Sequence, residues 1–304
     1  MPSMTELTEN RWLKPLALAS VAVLALSACG DDEENGDAEA ETEVETDVEI
    51  DAEVETLEEG VLQVCADVPY PPFEYYDTEG NVVGYDIDIA AAIAGALGLE
   101  LELIESSWEG LESGLALESE NCDLVISGMS ITEERAGNML FSDPYLDDNL
   151  GLLATTDSGI SSTDDLDGVP VGVQNGTTGH TYAAEELGLD VTEYEDSGLL
   201  LQGLEAGQVE ALIGNISIIG YQTGDDAAYE FVEEIDTGEQ LGIAAHLENQ
   251  ELIEAVNEVL AALDAEGTLE EIREAWFHSE TPDEGADPED EGDEDVDDGA
   301  EDEN

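Results

Sequence analysis

Arg135 is the residue of this chain whose chemistry is the most direct to interpret. It ends the segment SITEER (130–135) and is one of only four basic residues, against 80 Asp and Glu. A guanidinium group is planar, stays charged and can hold a carboxylate through two hydrogen bonds. We therefore expect Arg135 to bind a ligand carboxylate away from water. The alternative is a structural ion pair with Glu133 or Glu134.

Two threonines lie where a second anion contact is expected. Thr177 and Thr178 follow the strand and glycine turn VGVQNG (171–176) and open a predicted helix. Backbone N–H groups at the start of a helix point at anions, so both residues are candidates for ligand binding. Threonine side chains also cap helices in ordinary proteins, and this reading stays open.

Residues 60–278, which form the body of the chain, contain two cysteines, Cys65 and Cys122. They belong to strands that we expect to be neighbours, and an exported chain permits a disulfide. Cys65 lies within its strand, however, whereas Cys122 precedes its strand, and a disulfide needs Cα atoms within about 7 Å. A disulfide and two free thiols therefore both stay open.

The three histidines are far apart and have no metal-ligand spacing. The chain shows no phosphate-binding glycine loop and no serine-nucleophile motif. Pairs of carboxylates are so frequent in this acidic chain that no single pair indicates a site of acid/base catalysis. We therefore predict no catalytic residue, no metal site and no cofactor.

Charge dominates the composition of the 304 residues. The formal net charge is −76, while 41% of the residues are hydrophobic, so the chain can still bury a core. Such a charge excludes a nucleic-acid binder, which needs basic residues for the phosphates. It also disfavours contact between the folded part and an anionic membrane surface.

The N-terminal segment 1–28 has the pattern of a secretory signal. Basic residues precede the apolar run Leu16–Leu26, which is too short to span a bilayer. The run ends in LSAC, which resembles the lipobox of bacterial lipoproteins and predicts lipidation of Cys29. The alternative is a signal peptide followed by a cysteine that occurs there by chance.

Acidic segments flank the body. We interpret residues 29–59 as a disordered, solvated tether and residues 279–304 as a disordered acidic tail, since both lack aromatic residues and repel themselves. The body, residues 60–278, carries 47 acidic residues and only two arginines, Arg135 and Arg273. Molar salt screens such repulsion, which leads to the hypothesis of a halophilic protein that works outside the cell in brine.

Within the body, strand patterns alternate with helix patterns, which is typical of largely parallel sheets covered by helices. Two such sets, separated near residue 150, predict two α/β lobes. Ligands of open α/β sheets bind at the carboxyl ends of the strands. The main predicted strands are 61–68, 99–107, 123–129, 169–176, 209–215 and 241–246, and the main predicted helices are 85–97, 109–118, 178–187, 198–207, 249–264 and 268–277.

Seven motifs in order make the body resemble a known family, the polar amino-acid type of extracellular solute-binding proteins of ABC importers. The resemblance implies the type II periplasmic binding protein fold, with two Rossmann-like α/β lobes joined by two hinge strands. It places lobe 1 at 60–149 and 243–278, and lobe 2 at 150–242. The motifs are DVPYPPFE (67–74), GYDIDIAAAIA (84–94), SSWEGL (106–111), CDLVISGMSITEER (122–135), FSDPY (141–145), VGVQNGTTG (171–179) and GTLEEIREAWF (267–277).

The resemblance also implies roles for single residues. It assigns the ligand carboxylate to Arg135, with Ser130 and the groups around Ser127 and Gly128 completing the cradle. Two aromatic residues, Tyr70 and Trp108, match positions that flank the ligand side chain, although a core role is the ordinary alternative. Asp67 matches an acid that contacts the distal end of the ligand in several members, and its alternative is a turn cap.

Asn215 departs from the family pattern, which usually has an aspartate there as partner of the ligand ammonium group. An amide brings no negative charge, so a desolvated ammonium would lose its main compensation. Asp67 or another acid would have to substitute, or the ligand lacks a strongly basic amine. We favour neutral polar or cationic amino acids, then compatible solutes, and rank dicarboxylates low because no second cation is visible.

The resemblance implies a monomeric binding subunit that captures an amino acid or related carboxylate outside the cell. It would deliver this ligand to the permease and ATPase subunits of an ABC importer, held on the outer face of the membrane or in the periplasm. The alternatives are a free-standing sensor subunit and a dehydratase-type enzyme on the same fold. An enzyme would need a Glu or Lys side chain positioned in the cleft as an acid, and the body has no lysine.

Overall fold

The computed structural model of the chain describes residues 44, 46, 48–224 and 226–277. The predicted signal segment, Cys29 and the predicted acidic tail lie outside the described residues. Among the described residues, no helix combines the length and the apolar character needed to cross a membrane. The strands are β1 (Val61–Ala66), β2 (Tyr75–Tyr76), β3 (Val82–Val83), β4 (Glu100–Glu105), β5 (Leu124–Val125), β6 (Leu140–Phe141), β7 (Leu146–Asp147), β8 (Leu150–Thr155), β9 (Val171–Gln174), β10 (Val191–Tyr194), β11 (Ala211–Asn215), β12 (Tyr229–Ile235), β13 (Gln240–Leu241) and β14 (Ala244–Ala245). The helices are α1 (Tyr85–Leu97), α2 (Trp108–Glu112), α3 (Leu115–Glu118), α4 (Thr178–Thr181), α5 (Ser197–Glu205), α6 (Ile216–Thr223), α7 (Gln250–Glu266) and α8 (Thr268–Trp276), with short 3₁₀ turns at Arg135–Gly137 and Thr163–Asp165 and a π turn at Tyr182–Glu186.

The first sheet has the strand order β4-β1-β5-β14-β6. β1 runs parallel to β4 and β5, whereas β14 runs antiparallel to β5 and β6. Helices α1 and α7 cover one face with buried apolar side chains such as Ile87, Ile93 and Val256. A smaller cluster around α2 and α3, with Leu111 and Met139, covers the other face. The sheet is thus buried on both sides, as parallel strands require.

The second sheet has the order β10-β9-β11-β8-β12. Its parallel part is β10, β9 and β11, and β8 pairs antiparallel with both β11 and β12. Separate apolar clusters cover the two faces, one with Leu152 and Val173 and one with Leu200 and Leu212. The prediction of two α/β lobes is therefore confirmed.

The chain crosses between the sheets at two places, since β1–β6 and β14 belong to the first lobe and β8–β12 to the second. At these crossings β7 and β13 form a two-stranded antiparallel ladder that pairs Leu146 with Leu241 and Asp147 with Gln240. Two paired strands are a short, hydrogen-bonded connection about which two lobes can rotate. The lobe boundaries given above stay a prediction.

Two predicted elements are shorter in the structure than the sequence pattern indicates, and a glycine with positive φ lies within each of them. The predicted helix 109–118 is two short helices, because Gly114 adopts φ +79° and leaves the helical region between α2 and α3. The predicted strand 123–129 pairs only at Leu124 and Val125. The chain then bends through Gly128 (φ +52°), where a Cβ would lie 3.0 Å from Tyr70 Cε1. This bend leads directly to Ser130 and Arg135, two of the predicted site residues.

The tether prediction is wrong for the residues next to the body. Val48 is buried, and Val54 packs partly buried against the core of the first lobe. The Ile50 N–H donates to the Ala96 carbonyl (2.9 Å), which lies in the last turn of α1 where carbonyls have no helical partner. Alternating apolar residues and a free helix end therefore hold this acidic segment against the lobe.

A disulfide joins Cys65 and Cys122, with 5.8 Å between their Cα atoms. Cys65 lies in β1 opposite Val125 of β5, three residues beyond Cys122. The Asp123 N–H donates to the Gln63 carbonyl (2.8 Å), so the segment before β5 stays beside β1. The offset inferred from the strand pattern is therefore within the reach of the bridge.

Candidate functional site

Arg135 lies between the two lobes. It begins the 3₁₀ turn of the first lobe, where Nη1 donates to the Ser130 carbonyl (2.8 Å), and Nη2 donates to the Gly176 carbonyl of the second lobe (3.0 Å). The side chain is buried, and its guanidinium carbon lies 5.0 Å from the centroid of the Trp108 ring. Burial lowers the pKa of Arg135, and the nearby carboxylates of Glu112 and Glu239 oppose that shift. In the described part of the chain no carboxylate lies within 4.0 Å of it, so the structure does not show the alternative pairing with neighbouring acids.

Three predicted site residues converge on a carboxylate that the sequence analysis missed. The Ser130 hydroxyl (2.7 Å), the Thr178 hydroxyl (2.9 Å) and the Asn215 amide (3.1 Å) all donate to Glu239 Oε2. Ser130 follows β5 in the first lobe, whereas Thr178 and Asn215 lie at the start of α4 and the end of β11 in the second. Glu239 directly precedes β13 at a crossing between the lobes.

The two threonines, Thr177 and Thr178, have different hydrogen-bond partners in the structure. Thr177 caps α4: its hydroxyl oxygen accepts from the His180 N–H (3.2 Å), and its hydroxyl group donates to the Gln174 carbonyl (2.8 Å). This is the ordinary capping geometry. Thr178 instead directs its hydroxyl into the site. Ligand contact therefore stays a prediction for both residues, and the side-chain geometry favours Thr178.

Ser127 and Gly128 face the interior of the first lobe. The Ser127 hydroxyl donates to the buried Glu74 carboxylate, and its oxygen accepts from the Asp67 N–H (3.1 Å). The Gly128 N–H donates to Asp86 Oδ2 (2.7 Å). The Ser127 hydroxyl and the Gly128 N–H therefore already donate to carboxyl groups inside the first lobe. In this structure they stabilise the turn that carries Ser130 and are not free donors for a ligand.

The two aromatic residues enclose the site. Tyr70 stacks on Phe73 at 6.0 Å between ring centroids and lines a recess with Thr177 and Asn215. Trp108 is buried with its ring facing Arg135, and its Nε1 has no hydrogen-bond partner among the described residues. Beside Arg135, a cavity of about 480 Å³ is lined by residues of both lobes, including Glu112, Thr178 and Glu239.

Two acids near the cleft, Asp67 and Asp148, have raised pKa values. Burial, reinforced by the charge of Asp196 across the cleft, raises the pKa of Asp67 to about 6. Asp196 caps α5 of the second lobe by accepting the Leu199 N–H (2.7 Å), so each lobe contributes one acid. Burial also raises the pKa of Asp148 to about 6, and Ser217 holds its carboxylate through two hydrogen bonds. A cation near Asp67 and Asp196 would lower the raised pKa of Asp67, because it favours the charged form of a carboxyl group.

A pair of carboxyl groups, Glu74 and Asp86, is buried below the turn. Burial raises the pKa of Asp86 to about 7, and burial together with the charge of Asp86 raises that of Glu74 well above its ordinary value. Glu74 Oε2 and Asp86 Oδ1 have no donor among the described residues. Both pKa values are raised, so the folded pair still binds protons at pH values where the unfolded chain has released them.

Because the folded pKa values are raised, the pair stabilises the fold fully below about pH 4 and loses this contribution as pH rises toward 7. We expect Glu74→Gln, which still accepts from Ser127 and gains a donor toward Asp86, to stabilise the protein at pH 8. The gain should be about 1–3 kcal/mol, the usual cost of a buried polar group without a partner. The gain should shrink below pH 5, as measured by urea unfolding at constant high salt. The exposed variant Glu79→Gln controls for the loss of one charge, and an equal effect of both variants would contradict the prediction.

The chain spans most of several known proteins. The model of bacterial extracellular solute-binding proteins, family 3, matches residues 62–279. The L-cystine-binding protein TcyJ of Escherichia coli K12 is 30% identical over 72% of this chain and 84% of its own. An arginine-binding periplasmic protein of Mannheimia haemolytica is 32% identical over 68% of this chain and 87% of its own.

Solved structures agree with these relatives. An ancestral arginine-binding protein bound to arginine is 35% identical and superimposes with a TM-score of 0.66, covering 72% of this chain and 98% of its own. An ancestral amino acid-binding protein described as a precursor of cyclohexadienyl dehydratase is 33% identical, with a TM-score of 0.67 over 72% and 96% of the two chains. From its motifs, its two-lobed fold and the match over residues 62–279, the chain belongs to the bacterial extracellular solute-binding proteins of family 3.

Proposed function

We propose that this chain captures a cationic α-amino acid outside the cell between its two lobes and delivers it to the permease of an ABC importer. Its family, and relatives named for binding arginine, histidine or cystine, support amino-acid capture. The observation that carries the proposal is the burial of the Arg135 guanidinium, which donates to one backbone carbonyl of each lobe. The family consists of solute-binding proteins, and we propose no chemical step in this chain.

The geometry supports binding by closure of the lobes. The Ser130 carbonyl orients the guanidinium from the first lobe, and the bond to the Gly176 carbonyl forms only when the second lobe is near. A ligand carboxylate on Arg135 would therefore be enclosed by both lobes, out of water, where charge-assisted hydrogen bonds are strongest. Rotation about the β7–β13 ladder would open and close the cleft.

The acids of the cleft support a cationic ligand side chain. Asp67 belongs to the first lobe and Asp196 to the second, and the charge of Asp196 adds to the effect of burial in raising the pKa of Asp67, so a cation near both would relieve their repulsion. A guanidinium or ammonium group at the end of a ligand side chain would remove that repulsion. A dicarboxylate would instead add negative charge to a cleft in which Arg135 is the cation.

A thermal-shift and calorimetry series in molar salt tests the proposal. We expect L-arginine to bind, and L-citrulline, which has nearly the same shape without the side-chain charge, to bind about tenfold or more weaker. A ligand at about 100 times its Kd adds about 2.7 kcal/mol of stability, which gives a clear shift. L-glutamate should not bind. If L-citrulline matches L-arginine, the cationic preference is wrong; if no amino acid binds, amino-acid capture itself is wrong.

We also propose that the chain is exported and that lipidated Cys29 tethers it to the membrane. The sequence pattern of residues 16–29 supports this, as does the extracellular character of the family. Wild-type protein should be found in the membrane fraction and Cys29→Ala in the soluble fraction; equal partition of both would refute the tether.

A further inference from the structure

We propose that Glu239 is the residue that recognises the ligand α-ammonium group and so restricts the site to α-amino acids over other carboxylates. This inference rests on the function proposed above and names the partner of the ligand amine. It follows from the placement of Arg135 and Glu239 on the same two segments, and from the lack of charge on the three donors that surround Glu239.

Arg135 and Glu239 are held side by side by the same two segments. On the first lobe, the Ser130 carbonyl accepts from Arg135, while the Ser130 hydroxyl donates to Glu239. On the second lobe, Gly176 accepts from Arg135, while Thr178, two residues later, donates to Glu239. One positive and one negative group are thus held in the same part of the cleft by the segments that contain Ser130 and Gly176–Thr178. An α-amino acid offers a carboxylate to the first group and an ammonium group to the second.

The two groups do not neutralise each other directly. In the described part of the chain no carboxylate oxygen lies within 4.0 Å of the Arg135 guanidinium, and Glu239 is held only by neutral donors. The three bonds go to Oε2, and none of the described residues donates to Oε1. Glu239 Oε1 is therefore free to accept an N–H of the ligand.

The neighbours of Glu239 offer the ammonium group no carboxylate oxygen that is free of a hydrogen bond. The Asn215 amide is neutral, and its Nδ2 also donates to the Asp148 carbonyl (3.3 Å). The Asp148 carboxylate is engaged by the N–H and the hydroxyl of Ser217 (3.2 and 2.6 Å). Since a desolvated ammonium group needs an opposite charge, Glu239 is the acid placed to compensate it. The Ser130 and Thr178 hydroxyls can rotate to accept further N–H groups.

Paired ligands test the inference. Calorimetry in molar salt would compare L-arginine with 5-guanidinopentanoic acid, which lacks only the α-amino group, on wild type and Glu239→Gln. We expect wild type to prefer L-arginine by about tenfold or more, and Glu239→Gln to lose most of that preference by weakening L-arginine alone. Glu112→Gln, which removes one charge from the same cavity without touching the three donors, should keep the preference.

A charge-transfer variant separates recognition from a structural role. Asn215 Nδ2 lies 3.1 Å from Glu239 Oε2, so aspartate at position 215 places a charge at nearly the same point. Asn215→Asp combined with Glu239→Gln should restore the preference for L-arginine. Equal weakening of both ligands by Glu239→Gln, or tighter binding of 5-guanidinopentanoic acid, would overturn the inference and make Glu239 a structural brace or a competitor of the ligand carboxylate. Absence of any amino-acid binding to wild type would overturn the proposed function instead.

Discussion

Replacing Arg135 with alanine is expected to lower the affinity for L-arginine by about tenfold or more, a loss of about 1.4 kcal/mol or more. Hydrogen bonds to charged groups contribute about 1.5–3 kcal/mol, and Arg135 can make two to one carboxylate. The loss should be large because the guanidinium is buried and already oriented by the Ser130 and Gly176 carbonyls. Calorimetric titration in molar salt measures the effect.

Two further variants make this result specific. Arg135→Lys keeps the charge but cannot reach both carbonyls and a bidentate carboxylate, so it should recover only part of the affinity. Arg273→Ala removes the other arginine of the body, which pairs with Glu270 on the exposed surface of α8, and should bind like wild type. Circular dichroism shows whether each variant folds. If folded Arg135→Ala protein binds L-arginine with near-native affinity, the assignment of Arg135 to the ligand carboxylate is wrong.

The sequence is sufficient to propose Arg135 as a ligand-binding residue but not Glu239, and composition explains the difference. Arginine is so rare in this chain that its position carries information, and its fork has a specific chemistry. Glu239 is one of 47 acidic residues of the body, and no local pattern distinguishes it. Its proposed role depends on Ser130, Thr178 and Asn215, which are distant in sequence and meet at Glu239 only in the folded chain.

Other differences arise where local and tertiary effects compete. The alternation of helix and strand patterns predicts the two α/β lobes, since each pattern requires a partner layer. It does not predict that Gly128 directs its N–H to Asp86, because that bond depends on a buried carboxyl group 42 residues earlier. Nor does charge reveal that Val48 and Ile50 pack against the first lobe, since a few apolar contacts and one helix end outweigh the local repulsion.

The largest effect on stability should come from salt. We propose a protein adapted to brine and expect its unfolding midpoint to rise steeply between dilute buffer and about 3 M NaCl. Two carboxylates 10 Å apart repel each other by about 0.4 kcal/mol in water. Summed over several tens of neighbouring pairs, this approaches about 10 kcal/mol, as large as the net stability of an ordinary domain. Compensation is small in the described residues, where the pairs within 4.0 Å are Arg273–Glu270 and His180–Glu193.

Screening predicts the shape of this dependence. The Debye length falls from about 10 Å at 0.1 M to about 3 Å at 1 M salt, so most of the gain should be complete near 1 M. NaCl and KCl should act alike, whereas sucrose, which favours compact states without screening, should not replace them. Lowering the pH to about 4 in dilute buffer should partly substitute for salt, because protonation removes the same charges. Equal thermal stability in dilute buffer and in 3 M NaCl would refute adaptation to brine, and an equal effect of sucrose would assign the stabilisation to solute exclusion instead of charge.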